Sequence, residues 1–105
     1  MKTINKAAFN NINNWLISLW KHYAKVNCSP SGFGERMEGY FRFFCDTPEK
    51  LAAVIKGLKD RIAANYFVIV NTCDDKERNS HGYACSVMRE LMRRLQGESP
   101  DYRIL

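Results

Sequence analysis

Tyr66-Phe67-Val68-Ile69-Val70 is a near-continuous aromatic and β-branched run, and it constrains the fold of this chain more than any other feature. Such residues favour strands, and a run without polar interruption reads as a strand covered on both faces at the centre of a sheet. Alternation supplies a second strand from Met37 to Cys45. Met37, Gly39, Phe41, Phe43 and Cys45 share an apolar face, while Glu38, Tyr40, Arg42 and Phe44 share a half-polar one.

Between these runs lies a helix that begins at Asp46-Thr47-Pro48-Glu49. Either Asp46 caps it with Glu49 at the third position, or Thr47 caps it with Pro48 at the first. Leu51, Val54, Ile55, Leu58 and Ile62 mark its apolar face to about Ala64, leaving Asn65 as the short connection to the run that follows. Gly57 inside it costs about 1 kcal/mol relative to alanine, unless close packing requires a small residue there. About seventeen helical residues span roughly 25 Å, and a seven-residue strand spans roughly 23 Å. The helix therefore returns the chain to start a parallel strand, which makes a right-handed βαβ unit.

Flanking elements complete the pattern. A first helix from about Asn5 to Val26 gathers Phe9, Ile12, Trp15, Leu16, Leu19, Trp20 and Tyr23 on one stripe. Asn10, Asn14, Ser18, Lys21 and Lys25 lie opposite. Asn27 to Glu35 reads as a loop by its Ser, Pro and Gly content, and Thr72 to Gly82 as a polar loop whose middle can wind into a turn. A last helix from about Tyr83 to Gln96 carries Ala84, Val87, Met88, Leu91, Met92 and Leu95 on its apolar face, with Gly97 placed to end it. Tyr102 to Leu105 is a candidate edge strand. The expected fold is a small α/β sandwich of order α-β-α-β-α-(β) with a short, mostly parallel sheet. The alternative is an α+β fold with an antiparallel pair. An apolar share of 46% and a charged share of 26% suit one folded domain over residues 1–105 and exclude disorder or low complexity.

The N-terminus lacks the apolar stretch of a signal peptide, and no run is long enough for a membrane helix. These features predict a cytoplasmic protein whose Cys28, Cys45, Cys73 and Cys85 stay reduced. Their spacing matches no zinc or redox motif, so neither a metal nor a cofactor is expected.

Three classes of function remain open. In the parallel-sheet reading the strand ends deliver Cys45-Asp46-Thr47 and Asn71-Thr72-Cys73-Asp74-Asp75 to one rim, with His81 close by. Cys73, Asp74 and His81 are then candidates for a nucleophile and base. The competing reading makes Asp46 a helix cap and the thiols small buried hydrophobes. A net charge of +5 and the Arg89, Arg93 and Arg94 cluster invite a nucleic-acid reading, but the basic residues are spread along the chain rather than set in a dense stripe. The favoured expectation is a small protein-binding or regulatory module, acting on a protein partner or on a second copy of itself. Trp15, His22, Phe33, Tyr40, Phe44, Arg89, Arg93 and Arg94 are its candidate contact residues, because interfaces favour aromatics and arginine. Small inhibitors and modulators encoded by phages and other mobile elements share this size and kind.

Overall fold

A computed structural model describes residues 6–23 and 29–97. Every regular element among them is helical: α1 (Lys6–Tyr23), α2 (Pro30–Phe44), α3 (Pro48–Asn71) and α4 (Asp75–Leu95). Helix α4 is the hub and packs against each of the other three, while α1 also packs on α3. The core is built from Phe9 and Leu16 of α1, Phe33 and Phe41 of α2, Val54 and Leu58 of α3, and Val87, Met88, Leu91 and Leu95 of α4. Each such side chain contributes roughly 1.5–3 kcal/mol by leaving water.

The α/β sandwich and its antiparallel alternative are both overturned, because no strand occurs among the described residues. Met37 to Cys45 alternates, but it also presents Phe33, Met37, Phe41 and Cys45 at four-residue steps, and that helical period is the one buried. The start of α2 lies inside what reads as a loop. Ser29 caps it by accepting a hydrogen bond from Gly32 N–H at 3.1 Å, and Pro30 opens the first turn, where its missing N–H costs nothing.

Tyr66 to Val70 continues α3 without a break. Nothing between Ala64 and Tyr66 stops the helix, and Asn65 is a buried helical residue rather than a connector. The intrinsic penalty of β-branched and aromatic residues is only a few tenths of a kcal/mol each. A helix already running and packed against α4 outweighs it. Of the two possible starts for α3, the structure takes Thr47 as cap, its Oγ1 accepting from Lys50 N–H at 3.2 Å. Asp46 instead reaches Lys50 Nζ at 2.9 Å, and this hydrogen bond holds its carboxyl below the ordinary range.

The polar stretch after Thr72 is likewise helix rather than loop. Asp74 caps α4, accepting from Lys76 N–H at 3.0 Å, and Asp75 pairs with Arg78 one turn on. Ser80 closes its hydroxyl onto the Glu77 carbonyl at 3.1 Å, which lets it sit fully buried. Gly97 ends the helix with φ of 73°, as its placement in the sequence predicts. The candidate strand from Tyr102 to Leu105 lies outside the described residues, as do Lys25 and Cys28. No described helix is long and apolar enough to cross a membrane.

Candidate functional site

Helix α3 inverts the usual ordering of polar and apolar residues over its last turns. From Ile62 to Asn71 it carries no charged side chain at all. One of its innermost residues there is an asparagine, Asn65, only 1% exposed. Facing outward are Ala63, Tyr66, Phe67 and Val70, spaced as one helical stripe, and the last three are 57%, 66% and 57% exposed.

The burial of Asn65 rests on a hydrogen-bonded chain through three helices. Its Nδ2 donates to Asn13 Oδ1 of α1 at 2.6 Å, and its Oδ1 lies 2.8 Å from His81 Nδ1 of α4. With the amide so oriented, His81 Nδ1 is the donor of that second bond. His81 Nε2 stands 3.2 Å from Glu77 Oε1, near enough for an ion pair although Oε1 makes no hydrogen bond. Glu77 Oε2 meets Lys21 Nζ of α1 at 3.0 Å. Turning α3 about its axis to bury Tyr66 would break both bonds of Asn65 and leave buried polar groups unpaired, at about 1–3 kcal/mol each. The polar chain therefore fixes which face of α3 looks outward.

Beside the stripe, α3 and α4 enclose an open groove of about 920 Å³. Ile62, Ala63, Tyr66 and Met92 give it an apolar floor, and Lys59, Arg89 and Arg93 stand along it. A second aromatic group sits on α2, where Tyr40 packs edge-on against Phe41 and Phe44, and Phe43 is 78% exposed.

The sequence-derived candidates are distributed among these regions. Trp15 is half exposed, with its ring edge-on to Phe33 at 5.7 Å, whereas Phe33 itself belongs to the core. His22 is exposed on the last turn of α1. Tyr40 and Phe44 lie together on α2, and Arg89 is exposed on the groove. Arg93 and Arg94 both close onto Glu90, and Arg94 also lies 3.6 Å from Glu38. Burial alone would raise the Glu90 carboxyl, but the hydrogen bond and charge of Arg93, with Arg94 beside it, hold it below the ordinary range. That pairing ties Arg93 and Arg94 to one carboxylate, while Arg89 makes no such closure in the groove.

Cys73, Asp74 and His81 lose the sheet rim that was to assemble them. Cys73 is exposed in the turn between α3 and α4, Asp74 is spent as a cap, and His81 sits two turns along α4, bonded to Asn65. Among the described residues no cluster of three or more His, Cys, Asp or Glu side chains could hold a metal ion.

The outward stripe of Tyr66, Phe67 and Val70 is absent from the sequence-derived contact residues. Its signal was present as the ten uncharged residues 62–71, but a run without charge reads equally well as a buried strand. Compared with known proteins, the chain matches no family model, no curated protein and no solved structure.

Proposed function

We propose that this protein is a small cytoplasmic binding module that acts through protein–protein contact at the outward face of α3 and the adjoining groove. One observation carries the reading: α3 hides an asparagine and shows a phenylalanine. Three large apolar side chains on a single stripe, each more than half exposed, make a contiguous patch of the kind that marks an interaction surface rather than scattered surface hydrophobes. Rigid aromatics at the centre and arginines at the margin match the composition of interface cores and rims. The closure of Arg93 and Arg94 onto Glu90 weighs against a nucleic-acid surface on α4.

A photo-crosslinking residue placed at Phe67 in the intact protein, expressed in cells, tests this directly. Adducts to a protein chain are expected at that position and not at the exposed control position Asn79. Labelling at position 67 no richer than at the control would overturn the assignment.

A further inference from the structure

We infer that Asn13, Asn65 and His81 form a proton-operated switch at the junction of α1, α3 and α4, in which the loss of one proton from His81 turns both amides over. The switch is independent of what binds the outer face of α3.

Glu77 Oε1 is shut off from solvent without a hydrogen-bond partner, and His81 Nε2 faces it at 3.2 Å. An ionised carboxylate only accepts, and the second oxygen of Glu77 already meets Lys21 Nζ at 3.0 Å. A bare Nε2 would therefore set one acceptor against another, at about 1–3 kcal/mol for the unpaired buried group. A proton on Nε2 removes that conflict. Nδ1 carries a proton as well, because it faces Asn65 Oδ1, while Asn65 Nδ2 is committed to Asn13 Oδ1. The observed arrangement is thus that of an imidazolium with both of its protons engaged.

Only one of those protons can leave without orphaning its partner. Loss from Nε2 exposes a lone pair to Glu77, which has nothing to donate. Loss from Nδ1 is accommodated, because an amide that turns over presents a donor where it held an acceptor. Asn65 then donates Nδ2 to the bare Nδ1, and its Oδ1 swings towards Asn13. Asn13 turns in the same way to offer its own Nδ2. The proton goes to solvent, each hydrogen bond is replaced by its reverse, and Nε2–H stays on Glu77. A change at one ring nitrogen of α4 is carried through α3 to α1.

The charged and titratable groups around His81 leave this choice to it. On α4, Arg78 is turned to Asp75 and to the Thr72 carbonyl, and Cys85, one turn on, is a buried thiol. On α1, Lys21 reaches Glu77, and its neighbour His22 is exposed. On α3, Arg61 lies one turn before Asn65 and brings positive charge but no acceptor. The charged side chains that α2 directs at α4, Glu38 and Arg42, meet it at Arg94, near the opposite end.

Proton–nitrogen NMR of the imidazoles and side-chain amides of the full chain reads each step, with pH raised from about 5 to about 8, the interval in which histidine changes charge. Neutral His81 should hold its proton on Nε2. The Asn65 and Asn13 amide resonances should both shift with the His81 midpoint, not with that of His22. Glu77→Gln supplies a side chain that can itself donate to Nε2. In that variant neutral His81 should keep its proton on Nδ1, and the amides should lose their pH-dependent shift. His81→Gln should also silence the shift, with far-ultraviolet circular dichroism showing the helices intact. Neutral His81 protonated at Nδ1 in the unsubstituted chain overturns the proposal. So does an Asn13 amide that stays fixed while His81 titrates, or a Glu77→Gln protein that keeps the amide shifts.

Discussion

Gly57 and Gly39 occupy the middle of helices, and the same substitution at the two positions should move stability in opposite directions. A Cβ at Gly57 would fall 2.5, 2.7 and 2.9 Å from three carbons of the Phe9 ring. That ring has no room to retreat, since it is buried and stacks at 6.1 Å on Phe41, itself fully buried. Overpacking of this kind costs about 1–3 kcal/mol, against about 1 kcal/mol gained in helix propensity, so Gly57→Ala should be destabilising by about 1 kcal/mol. At Gly39 nothing lies within 4 Å of the added carbon. Gly39→Ala should then stabilise by about 0.5–1 kcal/mol, mostly by restricting the unfolded chain. Urea unfolding followed by circular dichroism separates the two. Phe9→Leu shortens the obstructing ring, and the double variant with Gly57→Ala should lose less than the sum of the single losses. A Gly57→Ala protein as stable as Gly39→Ala would show that α1 does not approach α3 as closely as described, and the packing argument would fall.

Three further outcomes follow from the same geometry. Asn65→Ala should cost about 2–4 kcal/mol in denaturant, because Asn13 and His81 each lose a buried partner; a loss under about 0.5 kcal/mol, typical of surface sites, would remove the polar chain as a determinant of how α3 is turned. The depressed Glu90 carboxyl contributes stability that is complete above its unfolded value and is lost as pH falls through its lower folded value, so unfolding free energy should drop on acidification below about pH 4.3. Glu90→Gln should make that acid limb shallower, and an unchanged limb would contradict the pairing with Arg93 and Arg94. Cys73, exposed in its turn, should react readily with a thiol reagent, while Cys85, buried and with its thiol pushed up by that burial, should react only on unfolding. Equal rates at the two would refute the burial of the inner face of α4.

Packing of the inward face of α3 sets both the stability of the fold and the exposure of the opposite stripe. Val54, Leu58 and Asn65 point to the core along one side, and Gly57 admits Phe9 beside them. The outer face of the same helix is free of that packing, so Phe67→Glu should change the stability of the chain by less than about 0.5 kcal/mol while weakening protein binding at that face. The two faces can thus be perturbed separately, which makes the binding reading and the fold reading independently refutable.

Where local chemistry decides, the amino-acid sequence was sufficient. The start of α3 was narrowed to Asp46 or Thr47 as cap, Gly97 ends α4, and the apolar faces Leu51–Ile62 and Ala84–Leu95 carry their helical period openly. The possible need for a small residue at Gly57 was also legible there, although the ring that requires it was not. What stayed hidden were choices between two periods that the same short run satisfies. Met37 to Cys45 fits a step of two and a step of four. Tyr66 to Val70 prefers a strand by a margin smaller than the gain from extending a helix already packed on α4. Burial resolves both, and burial is a property of the assembled helices. Asn65 shows the same dependence: alone it looks like a place for the chain to turn, and only Asn13 and His81, brought from helices far away in sequence, make it an interior residue. Local residue chemistry thus placed the end of α4 and narrowed the start of α3 to two caps, while tertiary packing decided that the remaining segments are helices too and which side of α3 faces the solvent.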